Sequence, residues 1–361
     1  MTAAFPPDHD ARVTEVSAPR HGIDAVGASL TRRGRWSIPE ILFWLVAAAT
    51  LFLLPERHLI LNEIAIIGLF AVSLDLILGY AGIVSLGHAA FFGFGAYVAG
   101  LLAKNGLGDP LLGLVLAASA AALLGFVTSF LVLRGADLTR LMVTLGVALV
   151  LGEIANQASW LTGGADGLQG IVMGPVLGLF EFDIFGTTAY AYSLVVTFLL
   201  FVVARRLVVS PFGLSLRSIR DNPLRARAIG IPVNRRLVAI YTVSAAYAGV
   251  AGALLAQTTQ FVSLDVLAFH RSADVLLVLV IGGVGYLYGG LIGAVVFKVL
   301  QDVLAGITPQ YWQFWIGLIL VVLVLAGRVR VTERIATLWR RTLGGRIAAR
   351  RTRRGTAAGE A

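Results

Sequence analysis

From Leu111 to Leu133 the chain reads LLGLVLAASAAALLGFVTSFLVL, with no charged residue. A run of this length spans about 30 Å of hydrocarbon as a helix. Membrane strands would instead alternate apolar and polar residues over about ten positions. Comparable blocks recur at approximately Ile38–Leu54, Leu59–Leu78, Ile83–Ala103, Leu138–Trp160, Ala189–Ala204, Leu237–Gln257, Ala273–Gly285, Leu287–Ala305 and Tyr311–Ala326. Pro55, Gly79–Gly82, Asn105–Pro110, Gly163–Gly164 and Pro309 separate them, as helix breakers do. The pattern predicts an all-α polytopic membrane protein of about ten transmembrane helices. The eighth block is short and the ninth follows with barely a turn. That pair reads either as two spans or as one broken, re-entrant element covered by protein or a wet cavity.

Charge orients these blocks. The formal net charge is +9, yet only 14% of residues are charged against about 25% in soluble domains. Nearly all the basic residues lie in the N-terminal tail (1–37), the Arg134–Arg140 loop, the 205–236 loop and the Arg-rich C-terminal tail (328–361). None occurs from Leu141 through Ala204, and the loop within that interval carries Asp166, Glu181 and Asp183. With ten spans the four basic regions share one side, so the positive-inside rule puts both termini in the cytoplasm around a permease domain at 38–327. The same distribution argues against nucleic-acid binding. The first 37 residues lack the early apolar core of a secretory signal.

Catalytic motifs are missing. The sequence has no Cys, no Gly-Lys pair for a phosphate-binding loop, no H-E-x-x-H and no G-x-S-x-G. It predicts neither an enzyme active site nor a bound metal or cofactor.

Ionisable groups at membrane depth cost about 2.5–3.5 kcal/mol each on insertion scales and require a reason. Asp75 and His88 flank the Gly79–Gly82 break, with Ser85 between them. They bond each other or cap the broken ends, or else they line a solvated path. Glu153, Asn156 and Gln157 share one helical face. That face either bonds a neighbouring helix or lines the outer half of a translocation route. Lys298 and Asp302, four apart, predict an ion pair. The small residues of GFGAYVAG (93–100) and YAGVAGALLA (247–256) allow close helix approach. The spacing of Gly79, Gly82 and Gly87 recurs at Gly282, Gly285 and Gly290. Both sets fall on one side of the membrane, unlike an inverted repeat, and the echo reads as coincidence.

The most basic internal stretch is FGLSLRSIRDNPLRARAIGI (212–231), with Arg217, Arg220, Arg225 and Arg227 close together. Asp221 and Asn222 as caps, Pro223 in the first turn and Gly230 as a stop predict a short helix over about Pro223–Ile229. Leu214, Leu216, Leu224 and Ile229 give it an apolar side. A loop that only sets topology and meets lipid headgroups needs no such helix. A rigid apolar element with an Arg rim fits docking to a soluble partner.

Four stretches, LGYAGIVSLGHAAFFGFGAYVAGLL (78–102), VTLGVALVLGEIANQASWLTGGADGLQGI (143–171), the basic hinge with SAAYAGVAGALLA (244–256), and LLVLVIGGVGYLYGGLIGAVV (276–296), resemble the permease subunits of branched-chain amino acid ABC importers. The resemblance covers roughly Leu59 to Ala326. It implies a bacterial inner-membrane importer with two cytoplasmic ATPase subunits, a second permease and an extracytoplasmic solute-binding protein. ATP and Mg would sit on the ATPase chains. The resemblance also makes Arg217, Arg220, Asp221, Pro223, Leu224, Arg225, Arg227 and Gly230 a coupling helix. It sets Gly163, Gly164, Asp166 and Gly167 against the binding protein. Similar permeases serve urea, short amides and other small solutes. Relatives often carry an acidic residue near the position of Pro223, so the coupling helix here would start later or choose its ATPase differently. Both tails lie outside the resemblance.

Overall fold

A computed structural model describes residues 36–135, 137–183 and 185–326. The two tails, apart from residues 36 and 37, lie outside the described residues. The helices are α1 (Ile38–Leu53), α2 (His58–Ala81), α3 (Ala89–Lys104), α4 (Pro110–Val132), α5 (Asp137–Gln157), α6 (Ser159–Thr162), α7 (Thr187–Val209), α8 (Pro211–Asp221), α9 (Pro223–Ala228), α10 (Val233–Thr259), α11 (Phe269–Gly282), α12 (Leu287–Ile307) and α13 (Trp312–Ala326). Each of the ten apolar blocks has its helix. Among the described residues six helical segments are long and apolar enough to cross a membrane: Pro55–Ala81, Pro110–Val132, Leu138–Gln157, Thr187–Val209, Val233–Thr259 and Leu287–Ile307.

Local chemistry sets the boundaries. Pro110 opens α4, and the Asp109 carboxylate accepts the Leu111 N–H at 2.8 Å, an N-cap of the ordinary kind. Ser37 and Glu40 form a reciprocal capping box on α1. The third block begins later than its hydropathy implies. Residues 82–88 are not helical, and α3 starts only at Ala89. Gly82, at φ +73°, ends α2 in the left-handed region that glycine tolerates.

The centre of the bundle is α2 and α10, whose apolar windows are 83% and 72% buried. Helices α2, α3 and α4 surround α10. Gly95 of α3 meets the backbone of Gly249 on α10, and Gly252 of α10 meets the Phe92 carbonyl. The two small-residue stretches therefore pack on each other, which needs van der Waals contact between backbones and no bulk. By contrast α5 is only 17% buried, with Met142, Leu149, Val150 and Ile154 exposed. Such a surface meets lipid or another subunit.

At 14 residues α11 is roughly 21 Å long, too short to cross about 30 Å of hydrocarbon unaided. It turns at Gly283–Tyr286 and packs against α12. The two glycine sets touch at one point. Gly79 lies against Gly285, and Gly290 against the backbone of Ala71 and Val72.

Candidate coupling and translocation sites

The basic hinge folds as two helices where one was expected. Ser210 precedes Pro211 and starts α8, which buries Gly213, Leu216 and Ile219 along one face. Period-3 spacing of Gly213, Leu216 and Ile219 was the available signal. Asp221 is the last residue of α8 and lies 3.4 Å from the Arg220 guanidinium, so it does not cap the next helix. Asn222 performs that role alone, its Oδ1 accepting the Arg225 N–H at 2.9 Å. Helix α9 therefore starts at Pro223 with no acidic residue there. At its end Gly230 (φ +85°) allows the Gly230 N–H to reach Arg227 O at 3.0 Å and Ile231 N–H to reach Ala226 O at 3.0 Å. This pair of bonds is a Schellman stop. Only Ala226 of α9 is buried.

The four arginines divide into two roles. The Arg217 guanidinium stacks 5.1 Å over the Tyr80 ring, and Arg220 donates to the Gly79 carbonyl. Both thus hold the end of α2 instead of forming a rim. Next to them Gly285 N–H donates to Asp75 Oδ1 at 2.7 Å. One cluster therefore joins α8 to the two helix breaks at Gly79–Gly82 and Gly283–Tyr286. Arg225 and Arg227 stay exposed, with Leu224 at 74% and Ile229 at 69% exposure. Leu214 and Leu216 belong to α8, so they do not share the apolar side of α9.

Asp75 and His88 do not bond each other. His88 is fully buried, stacked on Phe70 at 5.5 Å, with Nε2 2.9 Å from Ser73 Oγ and 3.5 Å from Ser244 Oγ. Ser85 is buried, and its hydroxyl has no partner among the described residues. The linker is held by Ala89 N–H donating to Ser272 Oγ at 2.9 Å and Leu86 N–H to Thr144 Oγ1 at 3.3 Å. Asp75 and His88 are thus close in sequence but serve separate contacts.

Glu153, Asn156 and Gln157 do share a face, and that face is exposed. Gln157 Nε2 donates to Glu153 Oε1 at 2.7 Å, within the helix and not across to a neighbour. Beyond α6 the turn is built by glycine: Gly163, Gly164 and Gly167 have φ of +80°, +56° and +74°. Gly164 and Gly167 are buried, whereas Asp166 is exposed. Leu168 N–H then donates to Val262 O at 2.7 Å, fixing the turn to the segment after α10.

Lys298 and Asp302 do not pair. Lys298 pairs with Glu63 of α2, and Asp302 meets Arg57 at 3.0 Å. The i,i+4 pattern was real, but both side chains lean toward α2. That partnership lies 235 and 245 positions away in the chain and has no local signal.

A sequence profile described as "Branched-chain amino acid transport system / permease component" matches residues 58–324. The chain belongs to this family. Its relatives include the high-affinity branched-chain amino acid transport system permease protein LivM of Salmonella typhimurium. That protein is 28% identical over 87% of this chain and 78% of its own length. The family relatives extend to sugars: the fructose import permease protein FrcC of Rhizobium meliloti is 25% identical over 79% of this chain and 81% of its own. The L-arabinose ABC transporter permease protein AraH of Azospirillum brasilense is 27% identical over 86% and 94%. No solved structure matches the chain. A family of permeases and six membrane-length helices make this a multi-pass membrane protein.

Proposed function

We propose that the chain is the membrane-spanning permease subunit of an ATP-driven importer in the bacterial inner membrane. It forms half of the path for branched-chain amino acids or related small solutes. The observation that carries this reading is α9. A helix of six residues, stopped at both ends, projects Leu224, Ile229, Arg225 and Arg227 outward, while its neighbour α8 grips the bundle through Arg217 and Arg220. Such an element receives force from a soluble partner and delivers it to two helix breaks. The positive-inside rule supports a cytoplasmic location for α8, α9 and both termini, with ten crossings.

In this reading two cytoplasmic ATPase subunits hold ATP and Mg and carry out the hydrolysis, so this chain is no enzyme. A second permease covers the exposed face of α5, where Glu153, Asn156 and Gln157 border the path. Asp166, on its glycine turn, meets an extracytoplasmic binding protein. Movement of α9 then rocks the bundle between two openings. The relatedness to FrcC and AraH supports a second substrate class, sugars, on the same architecture.

Co-purification from native membranes tests the assembly. Recovery of an ATPase chain and a second permease is expected, with uptake that persists when the proton gradient is collapsed and ATP is maintained. A lone protein whose uptake stops with the gradient would replace this reading by an ion-coupled transporter.

A further inference from the structure

Two basic loops meet at one end of the bundle. Helix α4 ends at Val132, two residues before Arg134, and α10 begins at Val233, two residues before Arg235. Between these helix ends lies an open groove of about 770 Å³, with Arg134, Asn234 and Arg235 among its lining residues. From there it follows both helices inward, past Phe130 and Phe126 on α4 and past Val238 on α10. It reaches Val243, nine positions beyond Asn234 and about 13 Å along the helix. Phe126 and Phe130 pack edge to face at 5.0 Å, yet remain 44% and 51% exposed, so the groove opens on the outer face of the bundle.

Charge in the groove is one-sided. Arg134 and Arg235 are exposed, and neither makes an ion pair or hydrogen bond among the described residues. Nearby arginines are engaged: Arg205 pairs with Glu40, and Arg236 lies over the Phe212 ring. No carboxylate is among the residues that line the groove. A second apolar cavity, of about 290 Å³ between α1, α2, α7 and α12, is lined by no charged side chain at all. That space suits any acyl chain and selects no headgroup.

We propose that the α4–α10 groove is a binding site for an anionic phospholipid such as phosphatidylglycerol. Arg134 and Arg235 hold the phosphate, and one acyl chain lies along Phe126, Phe130 and Val238. A guanidinium fork matches two phosphate oxygens at once. Basic pockets between membrane helices on the cytoplasmic side take anionic headgroups, and the importer reading puts these two loops on that side. The proposal shares that orientation with the importer reading and is independent of the solute carried. A zwitterionic headgroup finds no carboxylate here for its ammonium, which the two guanidinium groups repel. The C-terminal tail of the chain is excluded as occupant on the same ground, because it is Arg-rich.

The test is native mass spectrometry of the purified, delipidated complex, titrated with phosphatidylglycerol or phosphatidylethanolamine of identical acyl chains. Phosphatidylglycerol should bind about tenfold more tightly. Arg134→Gln with Arg235→Gln should bring its affinity down to that of phosphatidylethanolamine. Arg225→Gln with Arg227→Gln, an equal loss of charge on α9, should leave it in place. Phosphatidylglycerol should also raise the melting temperature of the wild type and not of the groove variant. Independently of any arginine substitution, benzoylphenylalanine in place of Phe130 should cross-link phosphatidylglycerol in excess of its share of the bilayer. A cross-link to a partner chain would make the groove a subunit interface and overturn the lipid site. Equal affinity for the two lipids, or selectivity that survives the groove substitutions, would overturn it too. Competition by millimolar inorganic phosphate would do the same by marking a site for the free anion.

Discussion

Arg220 shows how one side chain joins distant parts of this fold. It sits on α8 and donates to the carbonyl of Gly79, which rests against Gly285, whose N–H is held by Asp75. A guanidinium on a helix-end carbonyl satisfies an orphan acceptor and suits the negative end of the helix dipole. Arg220→Gln should therefore loosen α8 from α2. A charge-assisted bond of this type contributes about 1.5 kcal/mol or less at a half-exposed position. We expect a fall in melting temperature of the solubilised protein and a rise in ATP hydrolysed per solute imported. An unchanged ratio would show that Arg220 only neutralises the helix end. The adjacent Arg217–Tyr80 stacking provides a second, independent tether.

Among the elements, α10 depends most on what it lacks. Its glycines let α3 and α4 approach backbone to backbone, so a larger residue has nowhere to go. Gly252→Leu should drive α3 from α10 because the new Cβ meets the Phe92 carbonyl. Overpacking of this kind costs about 1–3 kcal/mol or more. Loss of the folded fraction on fluorescence-detected size exclusion would be the readout, with Gly317→Leu on exposed α13 as control. Helix α7 depends on a cap: Asp183 accepts the N–H groups of Thr188 at 2.9 Å and Thr187 at 3.2 Å. Slight burial raises the Asp183 pKa, and these bonds lower it by more, so the net shift is downward. A depressed folded-state pKa means the stabilisation is complete above the unfolded carboxylate range. It is lost as pH falls through the lower folded value. Asp183→Ala should cost about 1 kcal/mol at neutral pH. The gap from wild type, followed by thermal melts, should close on acidification.

Across the whole molecule the prediction concerns coupling. If α9 is the receiver of ATPase motion, Leu224→Asp together with Arg225→Glu should uncouple hydrolysis from import in proteoliposomes while the permease remains folded and inserted. Normal stoichiometry between ATP and solute would place the docking surface elsewhere. Uncoupling of about tenfold corresponds to about 1.4 kcal/mol of lost interaction, within reach of one apolar anchor and one charge at an interface rim.

Sequence alone determined the all-helical polytopic class, the short capped α9 and the family, because hydropathy runs, Asn-Pro starts and glycine stops act within a few residues of their cause. The close packing of GFGAYVAG on YAGVAGALLA was legible for the same reason, since small residues announce contact even when the partner is unknown. The tertiary structure decided which polar groups meet. It separated Asp75 from His88, sent Lys298 to Glu63 and Asp302 to Arg57, and turned Arg217 and Arg220 inward while leaving Arg225 and Arg227 outward. It also brought the two glycine breaks together and set Arg134 and Arg235 along one groove. These partnerships join positions up to 245 residues apart. In a bundle they depend on helix rotation and crossing, which packing of the whole surface sets and no local pattern records.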